Sequence, residues 1–458
     1  PALPPPPAPP PALPPPPALP VVPAPPSPPA PPPAPPTPPP AYPLAPPPAS
    51  PPAPPPPPFH VAAAGYAQLG QDLDGEDAGD MSGRAVALSA DGLVVAAGAI
   101  YNDNNNVNDA GHVRVWAFNG TGWNQRGQDL DGNPIAYGYE GWAVALSADG
   151  ATVAMGSRPS SQVRVFAYDA YADHWNLLGN VLAGAGHMGY SVDLSADGRI
   201  LAIGTLYGNG DFHAGSQTGQ AEVYAHDADS DTWNRLGQVL SGEAPSDHAG
   251  SSVALSSDGT IVAVGAYWND AGSLFSDKGH VRVYAYDANA DTWNPRGQDI
   301  DGEGNSDESG YAVSLSADGT IVAVGAWFND AGGNNRGHAR VHVYDANTDR
   351  WDQRGPDLDG DGDHEYHGSS VALSADGAVL AVGAPQGTGK RGHARVYTWD
   401  GAAWQTVGAD LVGENVDDYA GDSVAISTNG AIVAVGAYNN DGNGGNAGHE
   451  RVYAVQYH

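Results

Sequence analysis

Asp357, Asp359, Asp361, Asp363 and Glu365 alternate with Leu358, Gly360, Gly362 and His364. Carboxylates at alternate positions, with glycines between them, can wrap a hard cation, and calcium suits that spacing. The full twelve-residue pattern of a helix–loop–helix calcium site is absent. The related stretches 72–74 and 129–131 carry fewer ligands. An acidic, solvated loop whose Asp-Gly turns close a strand connection accounts for the same residues. No cofactor is required by the sequence, and calcium is the one candidate.

A second set of chemically capable residues recurs. Histidine follows glycine at His112, His280, His338, His393 and His449, and arginine stands two residues further on each time. Asp80, Asp247, Asp307 and Asp418 each precede by three residues a glycine that opens an apolar strand. Pairing these groups would make general acid–base chemistry. A feature repeated five times belongs to the repeat, however, because an active site is needed once. The expected role of the histidines and arginines is to bond carboxylates and loop carbonyls within or between repeats. No catalytic residue is assigned, and the chain reads as a non-enzyme.

Aromatic residues form two groups. Trp123, Trp175, Trp233, Trp293, Trp351 and Trp404 recur at one place in successive repeats, as packing residues between sheets do. Tyr101, Trp268, Trp327, Phe328 and Tyr438 stand instead beside Asn-Asp loops. They are the candidates for an exposed binding rim, where rings could stack on sugar or proline; anchoring of the loops is the plainer role.

The elements that must position these residues are set by a sevenfold repeat. A short apolar strand, a Ser-Ala-Asp-Gly turn and a strand ending Val-Gly-Ala return with turns at 89–92, 147–150, 195–198, 256–259, 316–319, 374–377 and, degenerate, 427–430. Two further strands follow each of the first six copies and one follows the seventh, joined by Gly, Asn and Asp turns, and such units bury their apolar faces only against one another. The expected fold is all-β: a seven-bladed β-propeller over residues 64–458 with four-stranded blades. A lone fourth strand at Tyr66 and a final third strand ending near Val455 are expected to pair, closing the ring. Long acidic loops then gather on one rim and short turns on the other.

Residues 1–58 are mostly proline and alanine, which permits only polyproline II. Residues 59–63 form a linker. Net charge is −34, with 52 acidic against 18 basic residues, which excludes nucleic acid as a partner. There is no cysteine, so neither disulfides nor thiolate chemistry is available. No apolar run is long enough for a membrane span. Asn119-Gly-Thr is the sole N-glycosylation sequon.

The repeats, with their Val-Gly-Ala strand ends and one Gly383-Ala-Pro385, resemble the FG-GAP-type propeller repeats of integrin-α-like proteins and their microbial and algal relatives. That family places calcium cages in the first hairpin, where the Ser-Ala-Asp-Gly turn here is too short and too poor in ligands. Residues 1–58 resemble hydroxyproline-rich glycoproteins of algal and plant walls, such as extensins and pherophorins. That resemblance implies hydroxylation and O-glycosylation at Pro4, Pro5, Pro6, Pro7, Pro14, Pro15, Pro16, Pro17, Pro28, Pro38, Pro54, Pro55, Pro56, Pro57 and Pro58. The expected function is a structural extracellular glycoprotein of a cell wall or matrix. It would be the subunit of a homopolymeric filament whose proline-rich rod contacts neighbouring subunits. The alternative is a glycan- or protein-binding propeller on a proline-rich stalk.

Overall fold

The computed structural model describes residues 63–103, 107–208, 217–270, 276–330 and 333–457. The proline-rich segment 1–58, with the prolines named above from Pro4 to Pro58, lies outside them. Blade 1 comprises Ser82–Leu88, Val94–Ala99, His112–Phe118 and Trp123–Gln125, each antiparallel to the next. The pattern recurs to give a seven-bladed propeller with four-stranded blades. First strands from all seven blades line a central channel. The described residues contain no helix long and apolar enough to cross a membrane.

Side-chain patterning follows from the layers. Second strands such as Ile261–Ala266 are buried along their whole length, because a blade covers them on either side. The core is accordingly a set of apolar layers between adjacent blades. In one, Trp175 of blade 2 packs on Val94, Val113 and Val115 of blade 1. Its indole Nε1 donates to the Arg126 carbonyl of blade 1 at 2.7 Å. Trp123, Trp233, Trp293, Trp351 and Trp404 make the same bond to the blade before them.

The turn signature is a small hydrogen-bonded unit. Ser89 Oγ donates to Asp91 Oδ1 at 2.7 Å and accepts from the Val94 amide at 2.9 Å. In the degenerate copy Asn429 replaces aspartate and its Oδ1 still accepts from Ser427 Oγ at 2.9 Å. The second residue of each turn also donates its amide to the corresponding carbonyl one blade on. The bonds run from Ala90 to Ala148 and onward to Thr428, which returns to Ala90, all at 2.8–2.9 Å. Backbone hydrogen bonds therefore encircle the channel without a break.

The Val-Gly-Ala ending records a close approach between blades. A Cβ built on Gly98 would lie 2.0 Å from the Gly141 carbonyl oxygen of the next blade. The facing glycines that open the first strands, Gly83 and Gly141 among them, have φ of 84° and 86°. Both sides of the contact need glycine.

Closure joins the two ends of the ring. Ala63–Gln68 pairs with the last strand, His449–Tyr457, placing Tyr66 opposite Val455 and Gln68 opposite Tyr453. The closing strand thus begins before Tyr66 and extends beyond the expected partner segment. In most blades the chain also bulges out after the fourth strand and rejoins the third through a two-residue stretch, as Leu358–Asp359 does opposite Ala339 and His338. That return is not marked by hydrophobic alternation, and it moves two acidic residues against a buried histidine.

Candidate ligand site at the channel mouth

Near the start of each first strand stand a glycine and, three residues later, a valine; both are invariant from Gly83 and Val86 through Gly421 and Val424. The residue directly after the glycine differs from blade to blade: Arg84, Trp142, Tyr190, Ser251, Tyr311, Ser369 and Asp422. Six of these, all but Ser369, border a cavity of about 210 Å³ on the long-loop side of the channel. Arg84 Nη1 lies 2.9 Å from Asp422 Oδ2 across the seam between the first and last blades. Its guanidinium also stands 4.6 Å from the Trp142 ring centroid, with Arg158 4.8 Å from the same ring and 5.6 Å from Tyr190. Burial pushes the Asp422 carboxyl up, against the pull of Arg84. Burial also raises the Tyr190, Tyr267 and Tyr311 hydroxyls, so all three stay protonated donors.

A second tier surrounds this ring. Two residues before each glycine, Met81, Tyr139, His187, His248, Glu308, Tyr366 and Tyr419 adopt left-handed φ between 51° and 62°. Such conformations cost non-glycine residues about 1 kcal/mol or more each. The corner is held by bonds such as the Asp422 amide to the Tyr419 carbonyl at 3.2 Å and the Ser251 amide to the His248 carbonyl at 3.1 Å. The left-handed residues meet the aromatic candidates of the rim. Tyr101 packs edge-on against Tyr139 at 5.1 Å, and Trp268 stacks on His248 at 4.3 Å. Trp327 and Phe328 contact Tyr366, while Tyr438 stacks on Tyr419 at 5.5 Å. Tyr311, Trp327 and Phe328 continue the arc with 4.2 Å separations. Glu308 accepts from the indoles of both Trp268 (3.2 Å) and Trp327 (2.7 Å). Trp268 keeps 39% of its surface exposed.

The repeated polar residues have structural partners. Asp80 Oδ2 accepts from the Asp77 amide and from Asn102 Nδ2, both at 3.0 Å. Asp247, Asp307 and Asp418 hold Asn269, Asn329 and Asn440 in the same way. Arg114 donates to the Asp74 carbonyl of the preceding blade at 2.6 Å, and Arg340 to the Asp301 carbonyl at 2.8 Å. The Gly-His histidines are buried beside carboxylates, and burial pushes His112 down to about 3 and His338 to about 4.

The acidic loop is divided among several partners. Asp357 accepts from Gln353 (2.7 Å), Asp361 pairs with Arg395 (2.6 Å), and Asp363 accepts from the Asn334 amide (3.2 Å). Glu365 caps the Asp361 amide at 2.8 Å. Asp357 and Asp359 alone approach a shared neighbour, His338. Asn119 is exposed at its turn, and its Oδ1 accepts from Thr121 and Gly122, bonds that do not use the Nδ2 a glycan would join.

No family model and no curated protein matches the chain. Among solved structures, it is similar to the β-propeller domain of Cps50 (Swd1) from Myceliophteria thermophila. Identity is 13% and the TM-score 0.52, covering 86% of this chain and 100% of that one. It is also similar to hydrazine synthase from Kuenenia stuttgartiensis. There identity is 14% and the TM-score 0.52, over 86% of this chain and 98% of that one. The chain has a propeller fold. At such identities the likeness concerns the fold alone.

No motif in the sequence marks the mouth ring. Its members lie one per blade, each resembling an ordinary strand residue. The available signal was the variable position locked between an invariant glycine and an invariant valine.

Proposed function

We propose that this chain is an extracellular carbohydrate-binding propeller, with the channel mouth as its binding site and residues 1–58 as a glycosylated stalk. The observation that carries the reading is the ring from Arg84 to Asp422, which varies where the rest of the blade repeats. Sugar recognition asks for exposed aromatic faces with a few fixed donors and acceptors beside them. Trp268 offers such a face, and the Tyr hydroxyls with the Arg84–Asp422 pair offer the polar groups. Binding is favoured over catalysis because the mouth carboxylates are already engaged, Asp422 by Arg84 and Glu308 by two indoles. The extracellular setting rests on the resemblance of residues 1–58 to wall glycoproteins.

A second reading draws on the stacked arc of Tyr311, Trp327 and Phe328. Aromatic-lined grooves bind polyproline II segments, so a neighbour's proline-rich rod could occupy the arc and propagate a homopolymeric filament. One experiment addresses both. The full chain is screened against wall oligosaccharides and against a peptide of residues 1–58, alongside Trp268→Ala. Oligosaccharide binding that falls at least tenfold in the variant is the expected result. Binding of the peptide in place of the oligosaccharides would favour the filament. Binding of neither probe would sink the two readings together, and oligosaccharide binding that ignores Trp268 would sink the first.

A further inference from the structure

Between blades 4 and 5 a histidine and three carboxylates converge without a hydrogen bond to account for the histidine. His338 opens the third strand of blade 5, only 1% exposed, and its Nδ1 has no hydrogen-bond partner. The returning stretch Leu358–Asp359 places Asp359 directly opposite it. Asp359 Oδ1 and Asp357 Oδ2 each lie 3.9 Å from Nδ1. Glu303, from the loop of the preceding blade, brings a third carboxylate oxygen within 4.8 Å of the His338 and Asp357 ligand atoms. A distance of 3.9 Å is too long for a hydrogen bond. It is somewhat longer than the ~3.4 Å that separates two ligands of one tetrahedral zinc ion, so a small side-chain shift would bring both groups onto the same ion.

We propose that His338, Asp357, Asp359 and Glu303 form a binding site for a first-row divalent cation such as zinc. A neutral imidazole with carboxylates is the ligand set of such ions, whereas calcium takes oxygen alone. Two cations stand close by: Arg340 donates to the Asp301 carbonyl at 2.8 Å and lies 3.4 Å from Glu303, and Arg336 lies near Asp359 and 3.8 Å from Asp363. An ion here would tie blade 4 to blade 5. The arrangement repeats with His112 between Glu76 and Asp129, and with His449 beside Asp72 and Asp74, so the whole chain is expected to take up more than one equivalent.

The test is calorimetric titration of metal-stripped full-length protein with zinc chloride, and separately with calcium chloride. His338→Gln and Asp359→Asn are measured beside the wild type. Asp359 is half-exposed, so its variant keeps the test open if the histidine variant fails to fold. The site predicts zinc uptake that falls by one equivalent in each folded variant, and no comparable calcium uptake. Absence of zinc uptake, as expected if water fills the gap, would overturn the proposal. So would undiminished zinc uptake in Asp359→Asn, or calcium binding as tightly as zinc.

Discussion

Glu450 occupies a position where the other blades carry Val113, Val163, Ala221, Val281, Ala339 and Ala394. It is fully buried at the seam between the last blade and the first, accepting from Ser82 Oγ at 3.1 Å, while its Oε1 has no hydrogen-bond partner. Burial pushes its carboxyl up to about 8, with Arg114 and Ser82 opposing. A carboxyl whose folded pKa is raised holds its proton more tightly in the native state. Its contribution is therefore complete below the ordinary value near 4.5 and is lost as pH rises through about 8. Glu450→Gln should melt with the wild type near pH 4 and several degrees above it beyond pH 8, since a few kcal/mol of buried charge are removed. Thermal melts of both proteins across that range are the check. Curves that stay parallel would show that the seam does not bury a titrating carboxyl.

At the scale of the element, two contacts set the spacing of blades. Gly98→Ala would push a methyl group to 2.0 Å from the Gly141 carbonyl, a backbone atom that cannot swing away. We expect that variant to lose several kcal/mol or to fail to fold, measured by denaturant unfolding. Trp175→Phe keeps much of the packing but leaves the Arg126 carbonyl unpaired, for a cost of about 1–3 kcal/mol; Trp175→Ala should cost about 3–5 kcal/mol. Both the tryptophan and the Val-Gly-Ala glycine were legible in the sequence because they recur at fixed places in every strand pattern. The arginines were legible for the same reason, and their bonds to the neighbouring blade follow that expectation, whereas the histidines lie buried 3.8–4.0 Å from carboxylates without bonding them. What periodicity could not convey was the return of Leu358–Asp359 to the third strand. Two residues are too few to show alternation, yet they divide the acidic loop and set Asp357 and Asp359 beside His338.

At the scale of the molecule, ring closure was readable from the split repeat, whereas the mouth was not. Arg84 and Asp422 are 338 residues apart in sequence and 2.9 Å apart in space, a proximity that only the closed ring creates. Deleting residues 63–74 should therefore do more than remove a strand. It exposes the edge of His449–Tyr457, so aggregation and a lower melting temperature are expected, while deletion of 1–58 should leave the melt unchanged. The central claim is that the mouth binds the ligand, and calorimetry on the best oligosaccharide from the screen tests it most directly. Tyr311→Ala lies in the mouth, while Tyr171→Ala removes a fully exposed aromatic from the short-turn rim. The account predicts at least a tenfold loss of affinity, about 1.4 kcal/mol, in Tyr311→Ala and none in Tyr171→Ala; equal affinity in all three proteins, or a loss confined to Tyr171→Ala, would contradict it.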